Sequence, residues 1–203
     1  VLTSLQETFI FILLVIIANY YGYLFLKFLG INTDTIPERL VLSTTLGLGF
    51  EFLFILGMGS LNLYYPILAL WLTILFSSPA LFYLYKFLKN RSYRIPITTK
   101  LPIPVLHTFI FILWITTMIL LLQLSITFLP PVGYDALEYH FGAPTYYVQI
   151  HKIGYLLGNA YSNFPENIEM LNTWGMLIQN ELIGKLFIWF LGVFTVLSIY
   201  ITG

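Results

Sequence analysis

No cysteine occurs among the 203 residues of the chain. Disulfide bonds, thiolate catalysis and cysteine-ligated metal sites are therefore excluded, while the redox compartment stays open. Charged residues are also scarce: Asp, Glu, Lys and Arg make up 9% of the chain, whereas a soluble domain carries about a quarter. So few charges cannot cover a water-exposed surface, and lipid must be the solvent over most of the length.

The chain has no excess of either charge, since nine basic residues balance nine acidic ones. No global field is present to attract nucleic acid, and we expect no nucleic-acid partner. The sequence also has no phosphate-cradling glycine loop, no zinc motif and no serine-nucleophile elbow. These absences argue against the common soluble enzyme classes.

Long apolar runs dominate what is present. A bilayer core takes about 20 residues of apolar helix, and its dryness requires backbone groups to pair within a segment. Five runs meet that length, at residues 8–29, 40–59, 63–88, 105–129 and 182–201. The predicted fold class is an all-α integral membrane protein. Its multi-pass helical bundle has four spans in 1–129, a connector of juxtamembrane helices at 130–181 and a fifth span in 182–203.

Basic residues predict the orientation of these spans. Lys27 and Arg39 flank the loop after the first span, whereas Lys152 is the only basic residue between Pro130 and Lys185. The loop after the third span carries Lys86, Lys89, Arg91, Arg94 and Lys100. By the positive-inside rule the two basic loops are cytoplasmic and the connector is extracytoplasmic. We therefore expect a protein of the cell membrane, inner or plasma, with the connector outside.

Prolines divide the connector into short predicted helices. Pro130-Pro131 ends the fourth span, and helices are predicted at about 135–141, 144–151 and 165–179, the last two beginning at a proline. The third of these, of roughly 15 residues, is short for a span. We expect it to lie in the membrane interface or to dip into it.

The connector also collects acids and histidines, and Asp135 with Glu138 admits two interpretations. A carboxylate directly outside a span is well placed to meet a lipid-linked substrate and to act as a general base. The spacing Asp135-x-x-Glu138 equally fits an acidic capping box. By spacing alone, helix capping is the favoured alternative.

The other titratable residues of the connector also admit structural interpretations besides functional ones. His140 and His151 could bind a metal or a phosphate, but without a tight ligand spacing a hydrogen-bonding function is favoured. Glu166 and Glu169 follow a proline in a first helical turn, where acids suit the helix dipole. We interpret both as structural unless that helix lines a cavity.

Two further sets of residues are candidates. Tyrosines such as Tyr134 and Tyr139 fit an interfacial aromatic belt, with sugar stacking as the alternative. Glu51 lies near the middle of the second span among Gly47, Gly49, Gly57 and Gly59. An ionisable group at that depth is expected to face the bundle and is a functional candidate, whereas the glycines favour close helix packing.

The segments DALEYHFGAP, from Asp135 to Pro144, and SNFPENIEML, from Ser162 to Leu171, carry a family resemblance. With their surroundings from Pro130 onward they resemble the first large extracytoplasmic loop of bacterial membrane glycosyltransferases of the GT-C superfamily. These enzymes are relatives of the protein O-mannosyltransferases and of the aminoarabinose transferases that modify lipid A. Upstream of Pro130, the multi-span layout agrees.

The resemblance implies transfer of a sugar from a polyprenyl-phosphate carrier to a glycan, lipid or protein acceptor outside the cytoplasm. In the family an aspartate of this loop activates the acceptor, and Asp135 is the matching position. It would be the base for a displacement at the anomeric carbon, usually with inversion, with the lipid phosphate leaving. Glu138 is the second catalytic candidate, as a partner that orients or electrostatically tunes Asp135.

The implied substrate-binding residues are Tyr134, Tyr139, His140 and Lys152, and the secondary candidates are Glu166, Glu169 and Glu51. No organic cofactor is expected, and a divalent metal stays open. Because the sequence starts at Val1 and stops at Gly203 after an apolar run, we expect a fragment of a longer protein. Arginines that hold the phosphate are expected in its C-terminal part.

Two other classes of function stay open. A transporter or flippase of lipid-linked intermediates would bind substrate near the membrane midplane, and Glu51 with its glycines favours that class. A non-catalytic scaffold in a polysaccharide assembly is the third class. It predicts that substitutions of Asp135 and Glu51 are both tolerated.

Overall fold

The computed structural model describes residues 2–89, 103–163 and 167–202. Within these ranges every regular element is helical. The α-helices are α1 (Leu2–Phe28), α2 (Ile36–Ser60), α3 (Pro66–Lys89), α4 (Ile103–Thr127), α5 (Gly142–Gln149), α6 (Asn167–Ile178) and α7 (Glu181–Thr202). A π-helical turn at Ala136–His140 precedes α5, and a 3₁₀ turn at Ala160–Asn163 precedes α6.

Five of these helices, α1 to α4 and α7, are long and apolar enough to cross a membrane. The predicted all-α multi-pass class is confirmed. The helices extend beyond several of the predicted apolar runs because polar residues form their first turns. At the start of α2, Thr35 has extended backbone angles (φ −125°, ψ 157°) and its hydroxyl accepts from the Glu38 amide. The Glu38 carboxylate accepts in return from the Thr35 amide, which completes a capping box.

Helices α1 and α2 pack against each other with almost no side chain between them. A Cβ atom at Gly22 would overlap the Ser43 carbonyl, and one at Gly47 would overlap the backbone of Ala18. Asn19 donates from Nδ2 to Ser43 Oγ at 2.7 Å and to Thr44 Oγ1 at 2.9 Å. The predicted close packing at Gly47 is confirmed, and Asn19 adds the interhelical hydrogen bonds that a dry interface favours.

Helix α6 is short and embedded in the bundle. Its 12 residues cover about 18 Å, too little to cross a bilayer core. It packs against α2, α3, α5 and α7. All seven residues from Glu169 to Gly175 are buried, so no side of these two turns is free to face solvent. This burial fits the predicted helix that dips inward better than one that lies flat on a surface.

Hydrogen bonds hold the connector and its beginning against two different parts of the bundle. After α5, His151 Nδ1 bonds the Tyr64 carbonyl at 2.8 Å and its ring stacks on Tyr65 at 4.5 Å. The hydrogen-bonding function predicted for His151 is thereby confirmed. On the other side, Lys185 Nζ of α7 donates to the Leu129 carbonyl at the end of α4. These contacts set the position of the segment that carries the acids.

Candidate functional site

Asp135 lies in the first helical turn after α4, beyond a non-helical stretch at residues 128–133. Its backbone already has α-helical angles (φ −59°, ψ −39°), its side chain is exposed, and it makes no capping hydrogen bond. The predicted capping box of Asp135 and Glu138 is therefore wrong. A cap residue needs extended angles, as Thr35 has, to aim its side chain at the amides that follow. Asp135 is inside the helical turn, and its carboxylate is left free of that function.

The turn that follows Asp135 is π-helical. The Phe141 amide donates to the Ala136 carbonyl, five residues back, at 3.0 Å. Such turns are rare and frequently occur at functional sites. A Cβ atom on Gly142 would lie 2.5 Å from the Leu137 carbonyl oxygen, so this close approach requires glycine. The helix predicted at about 135–141 is therefore wider than an ordinary α-helix over Ala136–His140.

Glu138 points inward from this turn. Its Oε2 atom is buried and has no hydrogen-bond partner among the described residues. A hydrogen bond with Glu138 is the main reason that the pKa of Tyr134 is raised, and the negative charge of that carboxylate adds to it. Asn159 Nδ2 holds the Glu138 backbone by donating to its carbonyl at 3.0 Å. The partner that the structure gives the Glu138 side chain is Tyr134.

His140 and Glu169 meet although 29 positions separate them in the sequence. His140 Nδ1 lies 2.6 Å from Glu169 Oε1, and the Glu169 side chain is only 4% exposed. Asn172, one turn further along α6, donates from Nδ2 to the His140 carbonyl at 2.8 Å. The hydrogen-bonding function predicted for His140 is confirmed. Since Nδ1 faces the carboxylate, the second ring nitrogen, Nε2, is left for other contacts.

Aromatic rings flank this pair. The Tyr139 ring lies 4.0 Å from the His140 ring and stacks on Tyr161 at 5.8 Å. We name the group the connector cluster. Its members are Tyr134, Asp135, Glu138, Tyr139, His140, Glu169 and Tyr161.

Two predicted site residues, Lys152 and Glu51, are not part of this cluster. Lys152 is exposed and lies beyond the far end of α5, whose eight residues separate it from His140 by about 12 Å along the helix. Glu166 lies outside the residues that the structure describes. In the described ranges, no group of three or more His, Asp or Glu residues could hold a metal ion.

A groove of about 390 Å³ adjoins the cluster. Leu137 and Phe141 of the π turn line one part of it, and Met176 and Glu181 line another. Asp135 does not line this groove. The π turn therefore separates the exposed carboxylate of Asp135 from a concave surface on the same end of the bundle.

A second cavity, of about 60 Å³, lies inside the bundle between α1, α2, α3, α6 and α7. The half-buried Glu51 lines it, and its buried Oε1 atom has no partner among the described residues. Trp174 lines it too, and its buried Nε1 atom also has no partner there. We name this the bundle cavity. The prediction that Glu51 faces the bundle is confirmed, whereas nothing in the sequence pointed to Trp174.

One further polar contact was missed by sequence reasoning. Glu7 of α1 is 2% exposed, and Asn180 Nδ2 donates to its Oε1 atom at 2.5 Å. Asn180 Oδ1 in turn accepts from the Leu182 amide at the start of α7. An asparagine just before an apolar helix is a capping signal, but its pairing with an acid from the first span depends on the tertiary fold.

Comparison with known proteins yields no match to this chain, whether with family models, with curated proteins or with solved structures.

Proposed function

We propose that the chain belongs to a membrane glycosyltransferase that moves a sugar from a polyprenyl-phosphate carrier to an extracytoplasmic acceptor, with Asp135 as general base. One observation carries the proposal: the exposed Asp135 carboxylate lies in the first helical turn after α4 and is not used as a helix cap. The resemblance of the Asp135–Pro144 and Ser162–Leu171 segments to GT-C enzymes supports the same residue.

In the proposed reaction Asp135 takes the proton from an acceptor hydroxyl. The hydroxyl oxygen then forms a bond to the anomeric carbon of the sugar while the bond from that carbon to the lipid phosphate oxygen breaks. The electron pair leaves with the phosphate, and the configuration at the sugar inverts. General-base catalysis of this kind contributes about 10²- to 10⁴-fold to a rate.

The connector cluster supplies candidate contacts for the two substrates. His140 is oriented by the buried Glu169 carboxylate, which accepts from Nδ1, and as an imidazolium it would donate from Nε2 to the donor phosphate. Glu138, with its unpartnered Oε2, is placed one turn after Asp135 to bind a sugar hydroxyl. Tyr134, which is 73% exposed, offers a ring face on which a sugar can stack.

The position of the cluster relative to the membrane is part of the proposal. We infer that the connector is extracytoplasmic because the basic loops lie at the other ends of the spans. The bilayer then brings the lipid-linked donor to the end of α4. A glycan, lipid or protein acceptor would approach from the outer side.

The test is sugar transfer by the full-length protein in proteoliposomes that contain a polyprenyl-phosphate-linked sugar. Asp135→Asn keeps the size of the side chain and removes the base, so transfer should be lost. Asp34→Asn is the matched control, since Asp34 is also an exposed loop aspartate and lies before α2. Wild-type turnover by Asp135→Asn and Asp135→Ala would show that the proposed role is wrong.

Transport of a lipid-linked intermediate is the second candidate function. The buried Glu51 carboxyl group in the bundle cavity favours it, because transporters bind substrate inside the membrane. Substrate flux across proteoliposomes that requires Glu51 and survives Asp135→Ala would select transport over transfer.

A further inference from the structure

Two residues that line the same cavity each carry a buried polar atom with no hydrogen-bond partner among the described residues. Glu51 Oε1 belongs to α2 and Trp174 Nε1 to α6, and both residues line the bundle cavity. A buried polar atom left unpaired costs about 1–3 kcal/mol, and buried polar atoms are nearly always paired. Two such atoms at one cavity indicate that something inside it bonds them.

The two atoms restrict the chemistry of the occupant. The indole nitrogen of Trp174 is only a donor, so the occupant must offer an acceptor. The carboxyl group of Glu51 accepts hydrogen bonds in either protonation state, so the occupant should also offer a donor. An ammonium group has donors only and would leave Trp174 unpaired, whereas a hydroxyl group both donates and accepts.

The rest of the wall requires an apolar body on that hydroxyl. Aliphatic and aromatic side chains such as Leu14, Phe76 and Phe187 make up most of the cavity lining. The volume of about 60 Å³ exceeds several times the roughly 10–15 Å³ that one water molecule needs. Water alone would leave this apolar surface wet, and an alkyl chain covers it.

The cavity lining includes a residue that is also exposed at the outer surface of the bundle. Phe50 lines it and is 57% exposed, on a helix that is long and apolar enough to cross a membrane. An occupant can therefore enter sideways from the hydrocarbon region. The source of the occupant is then the lipid phase.

We propose that the bundle cavity binds the hydroxyl end of a neutral, long-chain lipid alcohol, with Glu51 and Trp174 as its hydrogen-bonding residues. This site does not rest on the proposed sugar transfer. Glu51 lies nine residues before the end of α2, about 13 Å below the connector, and none of the connector cluster lines the cavity.

The test uses 3-azioctanol, an octanol that carries a photoreactive diazirine next to its hydroxyl end, on the full-length protein in lipid nanodiscs. Labelled peptides are identified by mass spectrometry, and the readout is labelling of the α6 segment around Trp174. The matched probe, 3-azioctane, has no hydroxyl. Octan-1-ol and octyltrimethylammonium are the two competitors.

In the wild-type protein 3-azioctanol should label α6 at about tenfold lower concentration than 3-azioctane, as one or two added hydrogen bonds allow. Glu51→Leu should bring the alcohol down to the level of the alkane. Glu51→Gln should stay within about threefold of wild type, because an amide still donates and accepts. Thermal melting of each variant establishes that it is folded.

Other outcomes would overturn the proposal. Equal labelling by the two probes would mean that the cavity takes apolar chains without using Glu51. Competition by octyltrimethylammonium but not by octan-1-ol, together with loss in Glu51→Gln, would assign a cation site. Absence of α6 labelling at every concentration would mean that no alcohol reaches Trp174.

Discussion

The carboxylates of the connector cluster and of the bundle cavity lie in opposite environments. In the cluster, Asp135 is exposed and Glu169 is paired with a histidine at 2.6 Å. In the cavity, the half-buried Glu51 lies among apolar side chains, and its Oε1 atom has no partner among the described residues. The first arrangement supplies a free base beside oriented polar groups, which suits proton transfer. The second supplies a hydrogen-bonding group in a dry space, which suits binding.

This difference shows that the number of acidic residues in a segment does not indicate what each acidic side chain does. Glu169 is a buried acid and Glu51 a half-buried one, both on helices, yet Glu169 orients a histidine and Glu51 faces a cavity. What separates them is the partner that the tertiary fold supplies. The two regions can be perturbed independently, and five substitutions test whether they are distinct.

The largest effect is expected at Asp135. Asp135→Asn should lower sugar transfer by about 10²- to 10⁴-fold, because the acceptor hydroxyl loses its base. Initial transfer rates in proteoliposomes measure this, with Asp34→Asn as the control expected to match wild type. An equal loss in Glu51→Gln would contradict the separation of the two regions.

The next effect concerns the shape of the π turn. Gly142→Ala places a methyl group 2.5 Å from the Leu137 carbonyl oxygen, which is too close, so the turn that carries Asp135 must shift. Misplacement of a catalytic group by about 1 Å costs roughly 100-fold in rate, and we expect a loss of that order. Gly133→Ala is the control, since a Cβ there meets only ordinary contacts. Retention of full transfer by Gly142→Ala would show that the π turn is not needed.

Glu169→Gln tests the pairing that orients His140. The substitution removes the charge opposite Nδ1, and a hydrogen bond to a charged group contributes about 1.5–3 kcal/mol. We expect a lower melting temperature and about a tenfold drop in transfer. Glu181→Gln, on a half-buried acid at the start of α7, serves as the comparison. In a protein that already carries His140→Gln, Glu169→Gln should cause little further loss of transfer. A loss as large as in the wild-type background would mean that Glu169 acts independently of His140.

Glu51→Leu should raise the stability of the protein, whereas Glu169→Gln should lower it. Removal of a buried, unpartnered carboxyl group from an apolar wall is expected to raise the unfolding free energy by about 1–3 kcal/mol. Asp135→Leu, at an exposed position, should change it by no more than about 0.5 kcal/mol. Thermal or denaturant melts in the same detergent compare the two. A destabilised Glu51→Leu protein would mean that the carboxyl group has a structural partner.

The smallest expected effect is a change in the pKa of Tyr134. Because the Glu138 hydrogen bond and charge raise the pKa of Tyr134, its hydroxyl keeps its proton to higher pH than an ordinary tyrosine. The interaction is therefore present at neutral pH and is lost as the pH rises through the raised pKa. Glu138→Gln should move the pKa of Tyr134 downward. Ultraviolet phenolate titrations, each corrected by the matching Tyr134→Phe protein, would detect no shift if the two side chains do not interact.

Much of the fold follows from composition. Five apolar runs dictate five long helices, because a dry environment leaves the backbone no other way to pair its polar groups. The short helix α6 was predicted as well, since Glu169 follows a proline at the beginning of an apolar stretch. Its burial on all sides was not predicted, because it results from packing against helices that are distant in sequence.

The site was less predictable than the fold. The same spacing of an N-terminal polar residue and a glutamate forms a capping box at Thr35 and Glu38 but not at Asp135 and Glu138. Backbone angles decide between the two, and spacing does not encode them. The pairing of His140 with Glu169 and the unpaired Trp174 nitrogen were also invisible, since both arise from contacts between separate segments.

The hydrogen bond from Lys185 to the Leu129 carbonyl fixes a point from which the chain leads to Asp135. The ammonium group neutralises the negative end of α4 and pins the point at which the chain leaves that helix. The segment from Pro130 to Asp135, fully extended, reaches at most about 20 Å from that point. Asp135 is thus held within about 20 Å of a fixed point, which is less than the thickness of a bilayer core. In the proposed transfer an acceptor must bring its hydroxyl within this distance, which favours acceptors with flexible or protruding ends over hydroxyls recessed in a folded surface.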